Sequence, residues 1–230
     1  MKKVLITGVS SGIGQALAES YKKLGYEVFG LSRRPADVDY HLTLDISDHQ
    51  LIETRFSSFI KEVRHFDLVI LNAGVLGRID DLKNSTLDEL KKMMDINMWS
   101  NKIILDILFS DNRQIDQVIG LSSGAAVNGN RGWSGYSLSK AAFKMLIQLY
   151  SQEQEQCHFI SLAPGLVDTA MQDSLCQVED IDTFKSLGRI QSARGTEAMP
   201  SPNELCKRLP QTIEDVKSYE SGSFIDIRKI

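Results

Sequence analysis

A tyrosine and a lysine four residues apart, Tyr136 and Lys140, form a chemically suggestive pair in this sequence. Positions i and i+4 share one face of a helix, so a phenol and an ammonium group placed there can converge. A free tyrosine has a pKa of about 10, and a neighbouring cation lowers that value by stabilising the phenolate. The pair is therefore suited to proton transfer, although the same spacing also occurs in surface pairs without a function.

Two further polar residues extend this pair. Ser123 lies thirteen residues before Tyr136, directly after a predicted strand. Its hydroxyl could orient a carbonyl oxygen for protonation, or it could simply cap the end of the strand. Asn97 lies inside a predicted helix, where asparagine is an unfavourable residue, so either packing or function must maintain it there.

The glycine-rich segment Thr7–Gly14 joins the first predicted strand to the first predicted helix. Glycines permit a sharp turn and let a diphosphate approach the backbone. The N-terminus of the helix adds free N–H groups and a positive partial charge. A plain tight turn is the alternative interpretation, but three glycines at this position favour a nucleotide site.

The second predicted strand ends in Ser32, Arg33 and Arg34. NAD sites usually carry an acidic residue here, which binds the ribose 2′-hydroxyl. Guanidinium groups suit a 2′-phosphate instead, so the sequence favours NADPH/NADP+ as the cofactor. The alternative is that Asp37 and Asp39 neutralise the two arginines.

Short apolar segments alternate with amphipathic ones along the chain, which is typical of βαβ units and a parallel sheet covered on both faces. The sequence thus predicts an α/β fold with one domain, 1–230, of the Rossmann-type doubly wound architecture. The predicted strands are Val4–Ile6, Val28–Leu31, Leu42–Leu44, Leu68–Leu71, Val118–Leu121, Phe159–Leu162 and Ser223–Ile227, and the predicted helices are 13–24, 48–63, 86–109 and 135–153.

The polar segment 168–212 interrupts this alternation and contains Pro200, Pro202 and Pro210. A long irregular insertion in a compact domain is usually a lid or a mobile segment. Because it follows the sixth strand, it should lie at the carboxyl edge of the sheet, where ligands bind. We therefore expect a lid on the substrate side.

The composition excludes some classes of protein. The 26 basic and 30 acidic residues give a net charge of −4, which argues against a nucleic-acid-binding protein. No apolar run approaches the ~18 residues that span a membrane, and no signal peptide is recognisable. Three widely spaced cysteines indicate free thiols in a reducing compartment, so we expect a cytoplasmic protein. The four histidines show no spacing typical of a metal site, and none is expected.

Taken in order, these motifs resemble the short-chain dehydrogenase/reductase family over essentially the whole chain. The resemblance implies a seven-stranded parallel sheet, with Tyr136 as general acid and Ser123 orienting the substrate carbonyl. Lys140 would hold the nicotinamide ribose and tune Tyr136, and Asn97 would hold a proton-relaying water. The implied cofactor contacts are Gly8, Ser10, Ser11, Gly12, Ile13, Gly14, Ser32, Arg33, Arg34, Asp45, Ile46, Asn72, Ala73, Gly74, Tyr136, Lys140, Pro164, Gly165, Val167 and Thr169.

Within that family, the segments 132–133, 162–172 and 221–226 resemble the sepiapterin reductases and the bacterial benzil reductases, which reduce carbonyls with NADPH. This resemblance implies a homodimer formed by the two long helices, unless their apolar residues only face the sheet. It also implies that Asp226 anchors a pterin, unless its carboxylate is solvated or pairs with Arg228. Ser123 together with Trp133, Met171 and Leu175 would contact the substrate.

The leading functional hypothesis is an NADPH-dependent carbonyl reductase that acts on a ketone, a diketone or the side-chain carbonyl of a pterin. Tyr136 would be its proton donor. One alternative is an NADP-dependent dehydrogenase of secondary alcohols, and another is a dinucleotide-binding sensor without catalysis. A sensor has no need of Ser123, Tyr136 and Lys140 together, so the sequence favours an enzyme.

Overall fold

Seven parallel strands form the central sheet of the computed structural model, which describes residues 1–230. The strands are β1 (Lys3–Thr7), β2 (Glu27–Ser32), β3 (Tyr40–Thr43), β4 (Leu68–Leu71), β5 (Gln117–Leu121), β6 (His158–Ala163) and β7 (Ser223–Asp226). Their order across the sheet is β3-β2-β1-β4-β5-β6-β7. All seven predicted strands are present, with ends that differ by up to two residues.

Helices cover both faces of the sheet. They are α1 (Gly12–Lys23), α2 (49–59), α3 (87–110), α4 (Ser134–Glu153), α5 (Ala170–Cys176), α6 (Lys185–Ala193), α7 (Pro202–Cys206) and α8 (Leu209–Asp215). On one face, α2, α3 and α4 enclose a core that contains Phe56, Leu105 and Phe143. On the other face, α1, α7 and α8 enclose a second core around Leu17 and Leu205. The predicted doubly wound α/β fold is thereby confirmed, and none of the helices is long and apolar enough to cross a membrane.

Two predicted helices are less regular than expected. The helices α2 and α3 each contain a π-helical turn, at Ile52–Phe56 and Asp95–Trp99. A small parallel pair of strands, His65–Phe66 with Gln114–Ile115, lies beside the main sheet and was not predicted. Strands of two residues carry no recognisable alternation of apolar and polar side chains, so the sequence could not indicate them.

The prediction of an irregular segment at 168–212 is wrong, since this stretch holds α5, α6, α7 and the start of α8. Pro202 and Pro210 lie in the first turns of α7 and α8, where the missing N–H has no intrahelical partner to lose. Ser201 and Glu204 form a capping box at the start of α7. Within 168–212, only the residues up to Met199 pack in the cluster at the cavity described below. The helices α7 and α8 belong to the core around α1 instead.

Candidate active site

A cavity of about 720 Å³ opens at the carboxyl ends of the strands, the edge at which open α/β sheets bind ligands. Three residues predicted for the site do not line it: Gly14, Asn97 and Asp226. The predicted residues that do line it are Gly8, Ser10, Ser11, Gly12, Ile13, Ser32, Arg33, Arg34, Asp45, Ile46, Asn72, Ala73, Gly74, Ser123, Trp133, Tyr136, Lys140, Pro164, Gly165, Val167, Thr169, Met171 and Leu175.

The Tyr136 phenol lies in the first turn of α4 and is almost completely buried. Burial raises the pKa of this phenol above its usual value, and the neighbouring Ser123 hydroxyl only partly offsets that effect. Desolvation thus dominates the pKa of Tyr136 in the protein alone, and the lowering of this pKa by Lys140 stays a prediction. Tyr136 therefore carries its proton in the protein alone, and the raised pKa makes its phenol a weaker acid than a free tyrosine.

Ser123 follows β5 and begins a short 3₁₀ turn. Its Oγ accepts a hydrogen bond from the Ala125 N–H at 3.1 Å, so this serine does cap the end of the strand. The same hydroxyl lines the cavity beside Tyr136. The cap holds the serine side chain in place and leaves its hydroxyl hydrogen available for a ligand.

The Lys140 side chain is buried one helical turn after Tyr136. Its Nζ donates a hydrogen bond to the Leu121 carbonyl oxygen at 2.9 Å and lies 5.9 Å from the centroid of the Tyr136 ring. Burial lowers the pKa of this ammonium group to about 8. Gly74 lies beside this group and beside Asn97, since a Cβ at Gly74 would be 3.1 Å from the Asn97 Oδ1.

The Asn97 side chain is buried and serves the protein rather than the cavity. Its Oδ1 accepts from the Val75 N–H, and its Nδ2 donates to the Val75 carbonyl oxygen, both at 2.8 Å. The second Nδ2 hydrogen goes to the Ser139 hydroxyl at 3.0 Å. The amide thus joins the loop after β4 to α4, and the proton-relaying water at Asn97 stays a prediction. These bonds explain why an asparagine is maintained inside α3.

The glycine-rich loop fits a dinucleotide diphosphate. Gly8 and Gly12 have φ angles of +81° and +59°, a region that favours glycine. Ser11 caps α1 without a side-chain hydrogen bond, and the first turn has no acidic residue, so its N–H groups stay available to phosphates. Gly14 was predicted to contact the cofactor, but it does not line the cavity. A Cβ at this position would lie 2.2 Å from the Gly8 carbonyl oxygen, so this glycine permits close packing.

Thr7 organises this loop and was not assigned a role from the sequence. Its buried hydroxyl accepts the N–H groups of Asn72 and Ala73, both at 3.0 Å. Asn72 returns a bond from its Nδ2 to the Thr7 carbonyl oxygen at 2.7 Å. The two loops that follow β1 and β4 are thereby fixed to each other at the cavity floor.

Arg33 and Arg34 are exposed at the rim of the cavity, and neither forms an ion pair. The alternative in which two aspartates neutralise them is wrong. Asp37 pairs with Lys22 at 2.9 Å, and Asp39 accepts the Val28 N–H at 2.8 Å. Both guanidinium groups therefore stay available to an anionic ligand.

Asp45 lines the cavity near these arginines. The Ser47 N–H and hydroxyl donate to its carboxylate at 2.9 and 2.8 Å, and these bonds lower the pKa of Asp45. The charge of Arg33 acts in the same direction. The aspartate is thus ionised and held in place at the predicted adenine side.

Apolar side chains form the substrate-side wall. Trp133, Met171 and Leu175 line the cavity, and they pack in a cluster that includes Tyr136 and Phe184. The Trp133 indole Nε1 donates to the Ser186 hydroxyl at 2.8 Å, which ties α6 to the segment before α4. This part of the cavity is suited to a flat apolar ligand.

Two buried polar groups in the cavity wall were not predicted from the sequence. The Gln172 Oε1 and the Ser122 Oγ have no hydrogen-bond partner within the protein. Buried polar atoms are rarely left unpaired without a functional reason. No sequence signal indicated them, because an unpaired atom is a property of the packed structure.

Asp226 does not face the cavity, and the prediction that it anchors a pterin is wrong. Its carboxylate accepts from the Arg228 Nε at 2.8 Å and from Nη2 at 2.5 Å. The Arg228 side chain lies against Gly165, where a Cβ would be 3.1 Å from its Cδ. Both carboxylate oxygens of Asp226 are therefore bound by Arg228. This pairing was the alternative interpretation of Asp226.

Comparisons with known proteins identify the family of this chain. The short chain dehydrogenase family matches residues 2–180. A benzil reductase ((S)-benzoin forming) of Bacillus subtilis is 30% identical and covers 100% of this chain and 99% of its own length. A second benzil reductase, from Bacillus cereus, is 26% identical with 99% of each chain covered.

Among solved structures, a short chain dehydrogenase/reductase from Saccharomyces cerevisiae matches with a TM-score of 0.85 at 22% identity. The match covers 98% of this chain and 96% of the yeast chain, so the whole fold is shared. Together with the family match over 2–180, these relatives decide the classification. This chain belongs to the short-chain dehydrogenase/reductase family and is an oxidoreductase.

Proposed function

We propose that the protein is an NADPH-dependent carbonyl reductase that acts on ketones and vicinal diketones with apolar substituents. The observation that carries this proposal is that Ser123, Tyr136 and Lys140 line one cavity together with the apolar side chains packed around Tyr136. The benzil reductases of two Bacillus species support the substrate class, since they match this chain from end to end.

NADPH supplies the hydride that adds to the carbonyl carbon. Ser123 orients the carbonyl oxygen through its free hydroxyl hydrogen, and Tyr136 donates a proton to that oxygen as the alcohol forms. Tyr136 is protonated at neutral pH, as an unperturbed tyrosine also is, and burial raises its pKa further. Lys140 would hold the ribose hydroxyls of the cofactor with the N–H groups that the Leu121 carbonyl leaves free.

The preference for NADPH over NADH rests on Arg33 and Arg34. Both line the cavity without an ion-pair partner, and Ser32, Arg33 and Arg34 stand at the end of β2 in place of the acidic residue that is usual in NAD sites. A 2′-phosphate would bind such guanidinium groups through strong charge-assisted hydrogen bonds.

The experiment that tests this function is an assay of NADPH oxidation with benzil, an aliphatic diketone and a simple aryl ketone. We expect benzil to be reduced to a hydroxyketone with NADPH and much more slowly with NADH. Ser123→Ala should bind NADPH normally but reduce benzil poorly. The proposal is overturned when purified protein that binds NADPH reduces none of the three carbonyls.

We also propose a homodimer that forms through α3 and α4. Several apolar residues of these helices face the sheet, as the alternative interpretation held, but Trp99, Met145 and Leu149 are exposed. Sedimentation should show a dimer at micromolar concentration, and Leu149→Glu should shift it toward a monomer. The apolar residues that the sequence offers for this interface on the two helices are Ile103, Ile104, Leu105, Leu108, Phe143, Leu146, Ile147 and Leu149.

A further inference from the structure

We infer that His41 is a positioning residue for cofactor selectivity, which acts through Ser32 on the turn that carries Arg33 and Arg34. This inference rests on the proposed use of NADPH. His41 lies on β3, the edge strand that pairs with β2, and its Nε2 is 2.9 Å from the Ser32 Oγ. Ser32 is buried at the end of β2 and lines the cavity next to the two arginines.

The hydrogen-bond count fixes the direction of this contact. A serine hydroxyl has one hydrogen, and Ser32 Oγ lies 2.6 Å from the Arg34 carbonyl oxygen, which can only accept. Ser32 therefore donates to Arg34, and the His41 Nε2 must donate to Ser32. The other ring nitrogen is only at the limit of hydrogen bonding, 3.5 Å from the Thr43 hydroxyl. Burial lowers the pKa of His41, which agrees with a neutral ring that carries its hydrogen on Nε2.

The resulting relay runs from His41 through Ser32 to the backbone of Arg34. It is the only side-chain tether of this turn, because the arginine side chains make no ion pair and are exposed. Loss of the His41 donor leaves a lone pair of the buried Ser32 hydroxyl unpaired and frees the hydroxyl to rotate away from Arg34. The turn then loses its fixed geometry, and the guanidinium groups are no longer presented at one position on the rim.

Cofactor selectivity should report this loss directly. NADPH and NADH share every group except the 2′-phosphate. A displaced arginine turn therefore weakens the binding of NADPH and leaves the binding of NADH unchanged. A general loss of fold would weaken both cofactors alike. The ratio of the two dissociation constants therefore separates a positioning role from a merely structural one.

The experiment is a titration of NADPH and NADH into the wild-type protein and into His41→Phe, His41→Gln and Thr43→Val. His41→Phe should weaken NADPH by about three- to tenfold, the range of one hydrogen bond, and change NADH less than about twofold. Glutamine can place an N–H near the position of Nε2, so His41→Gln should keep the wild-type ratio. Thr43→Val is the matched control on the same strand and should also keep it.

The outcomes for this inference and for the proposed function are distinct. A wild-type protein that binds NADH as well as NADPH overturns the proposed cofactor preference. A second outcome is a wild type that binds NADPH clearly better than NADH. If Arg33→Ala abolishes that preference and His41→Phe leaves it unchanged, only the role of His41 is overturned. Equal weakening of both cofactors by His41→Phe overturns it as well. If His41→Phe does not fold, Ser32→Ala removes the same relay and is held to the same criteria.

Discussion

The Lys140 ammonium group donates its hydrogen bond to the carbonyl oxygen of Leu121, the last residue of β5, at 2.9 Å. Lys140 belongs to α4, which also carries Tyr136, whereas Leu121 ends the strand that leads into Ser123. One buried contact therefore fixes the distance between the two elements that supply the proposed proton donor and the carbonyl-orienting serine.

This contact gives a prediction about pH. Burial lowers the pKa of Lys140 to about 8, so the group is charged below that pH and neutral above it. Tyr136 keeps its proton through the same range, because burial raises its pKa. We expect kcat/KM for carbonyl reduction, measured with saturating NADPH, to be highest well below pH 8, to reach about half of that value near pH 8 and to fall further above it. A profile that stays flat to pH 10 contradicts this assignment.

The proton donor can be tested by removal of one atom. Tyr136→Phe keeps the packing of the ring in the cluster with Leu175 and deletes only the hydroxyl. Turnover should fall by about 10²- to 10⁴-fold, the usual contribution of a positioned general acid, while NADPH binding is retained. Tyr150→Phe is the control on the same helix, since the Tyr150 hydroxyl binds Asp106 away from the cavity. Turnover of Tyr136→Phe close to that of the control would remove Tyr136 from the mechanism.

The arginine pair predicts a selective loss of NADPH affinity. Arg33→Ala removes one charge-assisted contact to the 2′-phosphate, which is worth about 1.5–3 kcal/mol, or about a 10- to 150-fold change in Kd. NADH should bind almost as before. Arg55→Ala changes the net charge equally, but its exposed side chain on α2 does not line the cavity. Isothermal titration of both cofactors distinguishes a local contact from a general charge effect, which would appear in both variants.

The sequence predicted those features that depend on local patterns. Buried strands such as Val118–Leu121 are continuous apolar runs, and the loop Thr7–Gly14 requires glycine for reasons of backbone geometry. Their positions in an α/β fold then place the polar residues that follow them at one edge of the sheet.

Features that depend on tertiary partners could not be predicted in this way. The orientation of Asp226 is decided by Arg228, and the role of Asn97 is decided by Val75, which lies on another element. Tyr136 illustrates the same point for electrostatics, because its desolvation depends on the complete packing of the cavity wall. The partners of Asn97 and the desolvation of Tyr136 have no signature in residue type or spacing, whereas the pairing of Asp226 with Arg228 was one of the interpretations that the sequence left open.

Gln172 provides a prediction in which stability and ligand binding change in opposite directions. Its Oε1 is buried in the cavity wall without a partner in the protein, and an unsatisfied polar group of this kind costs about 1–3 kcal/mol. Methionine has a similar length and no such requirement, so Gln172→Met should raise the Tm of the ligand-free protein. Natural sites accept this kind of cost when the group is needed for a ligand. The stabilisation that saturating NADP+ or a diketone gives to the wild type should therefore be smaller in Gln172→Met.

The neighbouring helix offers a matched control for this test. Gln191 on α6 donates from its Nε2 to the Val178 carbonyl oxygen at 2.8 Å, and it does not line the cavity. Gln191→Met breaks a hydrogen bond that the protein itself satisfies, so it should lower the Tm and leave the ligand-induced shift unchanged. Thermal unfolding of the two variants with and without each ligand distinguishes a ligand-binding role of Gln172 from a structural one. If Gln172→Met is destabilised as much as Gln191→Met and keeps the full shift with both ligands, Gln172 has a structural role and binds neither.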